Sequence, residues 1–199
     1  MASVVIVVDM LRGFLEESHP LYCGAEARKI IPNVQKLLKD MQAKGANIIY
    51  LADTHDPDDK EFQMFPAHCV RGTVESEIIP ELSDYPGDVI PKRRYSGFYD
   101  TDLENRLVEI RPQAFGKSFS KNRGMGDFPH EEVAVVGVCT DICVMYTVAD
   151  LRNRDYPVVI YADCVASFDE EAHAFALKHM EKVLGARVID KYESVTSDA

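Results

Sequence analysis

An acid, an amine and a thiol each follow a predicted strand, and together they could activate a nucleophile. Asp9 ends the first apolar run, Lys92 follows the third, and Cys143 lies shortly after the fourth. Ligands of open α/β sheets bind beyond the carboxyl ends of the strands, so we expect these side chains to lie close together. An acid beside a thiol can take its proton, and an ammonium group can stabilise the remaining charge.

Cys143 is the candidate nucleophile because it falls in the first turn of a predicted helix, directly after the segment GVCTDI. Helix N-termini stabilise anions, so we expect this position to lower the pKa of the thiol. The free backbone N–H groups there are also suited to an oxyanion hole. A buried structural cysteine is the alternative, and Cys139 is the competing thiol, although it lies in the turn before the helix.

The sequence also allows purely structural roles for Asp9 and Lys92. Asp9 could cap a loop or pair with Arg12, and Lys92 could be a solvated charge because it opens a run of three basic residues. These alternatives place the two side chains at the surface or against other partners. The catalytic interpretation therefore requires that the fold buries both of them beside Cys143.

A second group of polar residues follows the second predicted strand and could bind a metal ion. Asp53 and His55 are two residues apart on an extended segment, so their side chains point the same way. The loop then returns with Glu61 and His68. Mixed nitrogen and oxygen ligands favour a divalent transition metal, with Zn²⁺ preferred and Fe²⁺ or Mn²⁺ as alternatives. A merely polar loop is the other interpretation, and three further acids compete for the carboxylate position: Asp56, Asp58 and Asp59.

The strands that would position these residues are short apolar runs without strict alternation. That pattern is typical of parallel strands that are buried on both faces. Helical patterns alternate with the runs, which predicts an α/β sandwich with right-handed crossovers. The strands are predicted at residues 4–9, 47–53, 88–91, 133–138, 157–163 and 187–190, and the helices at residues 26–44, 102–110, 142–152 and 169–184.

One domain over residues 1–199 suits this length. Residues 111–130 are basic, contain glycine and have weak periodicity, so we predict a loop insertion there. Neither a repeat nor an interdomain linker is apparent in the sequence. Both a monomer and a homo-oligomer are compatible with this composition.

Charge and cysteine content exclude several classes of protein. The net charge of −11 disfavours nucleic acid and anionic membranes as partners. The apolar run at the N-terminus is too short to cross a bilayer and lacks the layout of a signal peptide. Five cysteines at irregular spacing do not suggest a disulfide framework, so we expect a cytoplasmic protein. Structural or surface roles are expected for the remaining candidates, namely Cys23, Cys69, Cys164, His19, His130, His173 and His179.

Taken together, the motifs resemble the isochorismatase-like cysteine hydrolases, and within them the nicotinamidases. They span nearly the whole chain in the order of that family, and the strongest is VVGVCTDICV. The others are VVDMLRGF, LADTHDPDDKEF, FPAHCVRGT, PKRRYSGF, TDLENRL and ADCVAS. The resemblance implies a three-layer α/β/α sandwich around a mostly parallel sheet of about six strands.

The resemblance also implies which residues act on the substrate. It places a catalytic triad on Asp9, Lys92 and Cys143, and an oxyanion hole on the backbone amides of Cys139 and Cys143. A cis peptide bond between Val138 and Cys139 would orient those amides. The family metal ligands fall on Asp53, His55 and His68, a variable fourth ligand falls on Glu61, and the ring-binding residues fall on Phe14, Phe65 and Tyr95.

The function implied by the resemblance is metal-dependent cysteine amidase activity. Nicotinamide would be hydrolysed to nicotinate and ammonia through a thioester, and the metal would anchor the pyridine nitrogen. Two alternatives stay open. The chain could hydrolyse another small amide on the same fold, or it could be a non-catalytic redox protein that uses Cys139 and Cys143.

Overall fold

Six parallel strands form one sheet in the computed structural model of this chain, which describes residues 2–115 and 132–194. The spatial order of the strands is β3-β2-β1-β4-β5-β6, and the order reverses between β1 and β4. Ligands of doubly wound sheets bind at such a reversal. The strands are β1 (Val4–Val8), β2 (Asn47–Asp53), β3 (Asp88–Lys92), β4 (Val133–Val138), β5 (Val158–Ala166) and β6 (Arg187–Ile189).

Helices cover both faces of the sheet, as the sequence predicted. Alternate residues of β1 show this: Val5 and Val7 pack in one buried cluster, whereas Ile6 and Val8 pack in another. The helices are α1 (Arg12–Leu15), α2 (Ala25–Arg28), α3 (Ile31–Ala43), α4 (Leu103–Phe115), α5 (Met145–Arg152) and α6 (Glu170–Lys182). Within the described ranges, no helix has the length and apolar character that crossing a bilayer needs.

The helix predicted over residues 26–44 is two helices. Helix α2 ends at Arg28, and α3 begins at Ile31 with Pro32 in its first turn. Proline lacks the N–H that would continue a helix through this point, but it is well tolerated in a first turn. The α-helical hydrogen bonding is therefore interrupted at Lys29 and Ile30, between α2 and α3.

The boundary of the predicted loop insertion is also wrong at its start. Helix α4 continues to Phe115, so residues 111–115 are helical rather than part of a loop. The proline at position 112 favoured an earlier end, since proline usually interrupts a helix interior. The rest of the predicted loop, residues 116–130, lies outside the described residues.

The turn after β4 has an unusual backbone that places Cys143. The Val138–Cys139 peptide bond is cis, as the resemblance implied, and the chain then forms a π-helical turn over Thr140–Val144 before α5. Gly137 precedes this turn with φ of 114°. A Cβ atom at that position would lie 2.0 Å from the carbonyl oxygen of Val8, so β1 and β4 approach too closely there for any other residue.

Candidate active site

The parallel register brings the predicted acid, amine and thiol to the carboxyl edge of the sheet. Val8 pairs with Leu51 of β2, which puts Asp9 just beyond the edge, and Lys92 of β3 lies in register with Asp53 of β2. Residues in register on parallel strands direct their side chains to the same face. The turn after β4 carries Cys143 to the same place, where the thiol sulfur and one carboxylate oxygen from each of Asp9 and Asp53 lie within 4.8 Å of one another.

Lys92 lies at the centre of this group. Its Nζ lies 2.8 Å from Oδ2 of Asp9 and donates a hydrogen bond to Sγ of Cys143 at 3.4 Å. All three side chains are buried. Lys92 is therefore not a solvated charge. Arg12 contacts Glu16 and Glu77 instead of Asp9, which removes the proposed pairing of Asp9 with Arg12.

The expectation of a lowered pKa at Cys143 is wrong. Burial raises the pKa of this thiol well above its ordinary value, although Lys92 opposes the shift. Removal of water from the thiolate is the largest cause of the shift, and the charges of Asp9 and Asp53 add to it. Burial also raises the pKa of Asp9 to about 6, against the opposing charge of Lys92. The site thus holds a neutral thiol beside a carboxyl group that can exchange a proton near neutrality.

Three of the four predicted metal ligands converge beside the thiol. The ligand atoms of Asp53, His55 and His68 lie within 4.8 Å of one another, and all three side chains are buried. The Nε2 atoms of His55 and His68 lie 3.4 Å and 3.7 Å from Oδ2 of Asp53. Among the described residues, His55 Nε2 is a buried atom with no hydrogen-bond partner.

The hydrogen bonds on the far side of each ring show that this group fits a metal ion. Nδ1 of His68 lies 2.9 Å from the carbonyl oxygen of Pro66, and Nδ1 of His55 lies 3.2 Å from the carboxylate of Asp59. Both partners can only accept, so in the neutral rings each Nδ1 carries the proton and each Nε2 a lone pair. Two nitrogen lone pairs then face one carboxylate oxygen, an arrangement that a cation would stabilise.

The other predicted carboxylate ligands are placed differently. Glu61 is buried, but it is not part of the converging ligand group. Its Oε2 lies 3.9 Å from a guanidinium nitrogen of Arg94. Asp59 faces the opposite side of His55, Asp56 contacts Arg71, and Asp58 is exposed. Asp53 is therefore the carboxylate that the structure brings between the two histidines.

A narrow cavity leads to the thiol, and its wall is mostly apolar. The three predicted ring-binding residues, Phe14, Phe65 and Tyr95, all line it. Phe14 and Phe65 also contact the ring of His68, with centroids 5.7 Å and 6.4 Å apart. Three further residues line the wall and were not predicted, because apolar residues in loops and turns carry no pattern that marks a cavity: Leu21, Ile142 and Phe168.

Two contacts behind the thiol were also missed. The Sγ atoms of Cys139 and Cys23 lie 3.5 Å apart in the interior. Nδ1 of His173, in α6, lies 2.9 Å from Oγ1 of the fully buried Thr140, so His173 is not a simple surface histidine. Burial lowers the pKa of His173. Both contacts join distant parts of the chain, and a spacing pattern could not have revealed them.

The fold and the cavity define an α/β enzyme whose reactive groups lie where the strand order reverses. A family model described as the isochorismatase domain matches residues 3–193. The chain therefore belongs to the isochorismatase family, and within it to the amidohydrolases.

Solved structures of similar proteins agree with this assignment. A nicotinamidase from Bacillus subtilis is 31% identical, with a TM-score of 0.79 over 96% of this chain and 100% of that one. An N-carbamoylsarcosine amidase from Thermoplasma acidophilum is 29% identical, with a TM-score of 0.77 over 97% of this chain and 99% of that one. A pyrazinamidase from Pyrococcus horikoshii, in complex with zinc, is 28% identical, with a TM-score of 0.78 over 94% of this chain and 97% of that one.

Proposed function

We propose that this chain hydrolyses nicotinamide to nicotinate and ammonia, with Cys143 as the nucleophile. One observation carries the proposal: an aromatic-walled cavity is lined both by the buried thiol of Cys143 and by Asp53 and His68, two of the three converging ligands. The third ligand, His55, is buried and has its ligand atom within 4.8 Å of theirs. A thiol alone would suit many amides. A metal-ligand group beside it suits an amide that carries its own ring nitrogen, because such a nitrogen is a good metal ligand.

In the proposed reaction, Asp9 is the general base and then the general acid. It takes the proton of the Cys143 thiol as sulfur attacks the amide carbonyl, and it returns that proton to the departing ammonia. This leaves a thioester, which water hydrolyses to the acid and the free thiol. The raised pKa of Cys143 means that the thiol needs such a base, and the pKa of Asp9 near 6 suits both transfers.

Lys92 and two backbone amides would stabilise the negative charge of the reaction. Lys92 contacts both Asp9 and the sulfur atom, so its ammonium can balance charge on either one. The backbone amides of Cys139 and Cys143 are proposed to form the oxyanion hole. The side chain of Cys139 is not used, since its sulfur packs against Cys23.

Asp53, His55 and His68 would hold one divalent transition metal, with Zn²⁺ preferred. Glu61 is proposed as the fourth ligand. When bound, the ion supplies a Lewis-acid anchor for the ring nitrogen. Phe14, Phe65 and Tyr95 would hold the flat ring between apolar walls, which favours a small aromatic amide.

The lining of the cavity favours a neutral substrate over one that carries a carboxylate. Its wall is mostly apolar, and among the described residues no lysine or arginine lines it. A substrate carboxylate would therefore lose water without gaining an ammonium or guanidinium partner in the wall. This disfavours a substrate such as N-carbamoylsarcosine, the second candidate function on this fold. A redox role is disfavoured because Cys139 and Cys143 have different partners.

The proposed function is tested by comparing substrates on the purified, zinc-supplemented protein. Ammonia release should be measured from nicotinamide, pyrazinamide and N-carbamoylsarcosine under the same conditions. We expect kcat/KM for both aromatic amides to exceed that for N-carbamoylsarcosine by at least about 100-fold, a difference of about 2.7 kcal/mol. Preferential hydrolysis of N-carbamoylsarcosine would overturn the proposal.

A further inference from the structure

Asp59 is a buried carboxylate that contacts the candidate metal site without facing it. Its side chain is 5% exposed, and its Oδ2 lies 3.2 Å from Nδ1 of His55. Arg94 donates to both of its oxygens from Nη1, at 2.9 Å and 3.0 Å. Its Oδ1 also accepts a hydrogen bond from the backbone N–H of Glu61, so Asp59 caps the short helical turn Lys60–Gln63. Every oxygen of Asp59 thus has a partner.

These contacts determine which nitrogen of His55 is available to an ion. A carboxylate held by a guanidinium accepts and does not donate, so Nδ1 of His55 must be the donor in their shared hydrogen bond. The lone pair of the neutral ring is then on Nε2, the atom that faces Asp53 and has no hydrogen-bond partner among the described residues. Without Asp59, the ring could turn, or it could carry its proton on Nε2.

We propose that Asp59, held in place by Arg94, is a positioning residue that orients His55 for metal binding. The inference rests on the metal site of the proposed function. Partners of this kind raise the basicity of a metal-bound histidine and fix its ring, and their loss typically weakens metal affinity by about 10- to 100-fold. Asp59 is therefore expected to act on affinity for the ion through His55, without contacting the ion itself.

Arg94 extends this support to the other side of the cavity. It follows β3 by two residues and lies between Lys92, in the candidate triad, and Tyr95, in the cavity wall. Its guanidinium contacts Asp59 and approaches Glu61 at 3.9 Å. One arginine thus holds the loop that carries Asp59 and Glu61 against the strand that carries Lys92. Replacing Arg94 should weaken metal binding in the same direction as replacing Asp59.

The test uses Asp59→Asn, with Asp58→Asn as the matched control. Asparagine is close to aspartate in shape and is also a good N-cap, so Asp59→Asn keeps the contact to the N–H of Glu61 while removing the charge. Asp58 is an exposed acid one residue away, and no hydrogen bond to the ligand group involves it among the described residues. Zn²⁺ affinity would be measured by competition with a chromophoric chelator, and the melting temperature would be measured on the metal-free proteins.

We expect the Kd for Zn²⁺ to rise at least about 10-fold in Asp59→Asn and to stay within about 3-fold of wild type in Asp58→Asn. Asp59→Asn should have a lower metal-free melting temperature than Asp58→Asn, because it loses the ion pair with Arg94, but each variant should be fully folded at the temperature of the titration. Arg94→Met should also raise the Kd. Unchanged Zn²⁺ affinity in Asp59→Asn would overturn the inference, and so would a loss of affinity that is explained by a variant already unfolded at the temperature of the titration.

This experiment contains no amide, so its outcome is separate from that of the proposed function. If wild-type protein binds Zn²⁺ but fails to hydrolyse nicotinamide, the substrate assignment fails and the role of Asp59 is still decided by the Kd values. If wild type hydrolyses nicotinamide and Asp59→Asn binds Zn²⁺ normally, the inference alone fails. A wild-type protein that binds no Zn²⁺ would overturn the inference together with the metal site.

Discussion

Lys92 donates a hydrogen bond to Asp53, with Nζ 2.6 Å from Oδ1, and so joins the candidate triad to the candidate metal site. The other oxygen of Asp53 faces the two histidines. Burial would lower the pKa of Lys92, but Asp53 and Asp9 raise it well above its ordinary value. Burial would likewise raise the pKa of Asp53, but Lys92 and the histidines hold it below its ordinary value. One buried ion pair therefore supports both halves of the site.

Lys92→Met tests this central position. The variant would leave Asp9 and Asp53 as buried acids without their shared cation, and removing one partner of a buried ion pair typically costs about 3–5 kcal/mol. We expect a loss of that size in the free energy of unfolding, measured by urea titration, together with loss of turnover. Arg93→Met is the control, because Arg93 pairs with Asp100 at the surface and should contribute under about 1 kcal/mol. Equal stability of the two variants would contradict the central role of Lys92.

Asp9→Asn tests the proposed proton transfers. The substitution is nearly isosteric, but an amide cannot take a proton from the thiol and return it to ammonia. General acid–base groups contribute about 10²- to 10⁴-fold in rate. Since Asp9 would serve two transfers, we expect kcat to fall by about 10⁴-fold or more, with a much smaller change in substrate binding. A variant with a lower melting temperature but near-normal kcat would show that Asp9 has only a structural role.

His55→Ala tests the metal site. Elemental analysis of the wild-type protein should find about one divalent transition-metal ion per chain. The variant should lose the ion and weaken nicotinamide binding, because it removes one of the three converging ligands, and its melting temperature should show that it is still folded. His179→Ala is the control, since His179 stacks on Phe175 away from the cavity. Active wild-type protein that contains no metal would contradict the proposed site.

Gly137→Ala tests the close approach of β1 and β4 that positions Asp9 and Cys143. A Cβ atom there would collide with backbone, and such overpacking, added to a left-handed conformation, should cost about 3 kcal/mol or more. Gly45→Ala shares the positive φ but meets no atom within 4 Å, so it should cost only about 1–2 kcal/mol. Chemical denaturation would compare the two, and equal losses would argue against the steric explanation.

The strands and the residues at their ends could be predicted because each depends on local sequence. Runs of valine and isoleucine identified the sheet, and the parallel arrangement then brought Asp9, Lys92 and Cys143 to one edge. Spacing also identified Asp53 and His55 as neighbours. The interruption before α3 was missed even though Pro32 is visible in the sequence, because the apolar stripe continues across it.

The rest depends on burial and on contacts between distant residues. The pKa of Cys143 rises because the thiol is enclosed, and enclosure cannot be read from a position in a helix. Three acids in one loop looked equally suitable as ligands, and only the loop conformation places Asp59 against His55 and Arg94. The contact between Thr140 and His173 joins the turn after β4 to α6, and it likewise has no signature in local sequence.

The identity of the nucleophile is tested most directly by nicotinate formation from nicotinamide in wild type, Cys143→Ala and Cys139→Ala. The wild-type protein should release one ammonia for each nicotinate formed. Cys139→Ala should do the same, since only the backbone amide of Cys139 is used. Cys143→Ala should keep its fold, as judged by its melting temperature, and show no activity above the uncatalysed rate. An active Cys143→Ala protein together with an inactive Cys139→Ala protein would contradict the account.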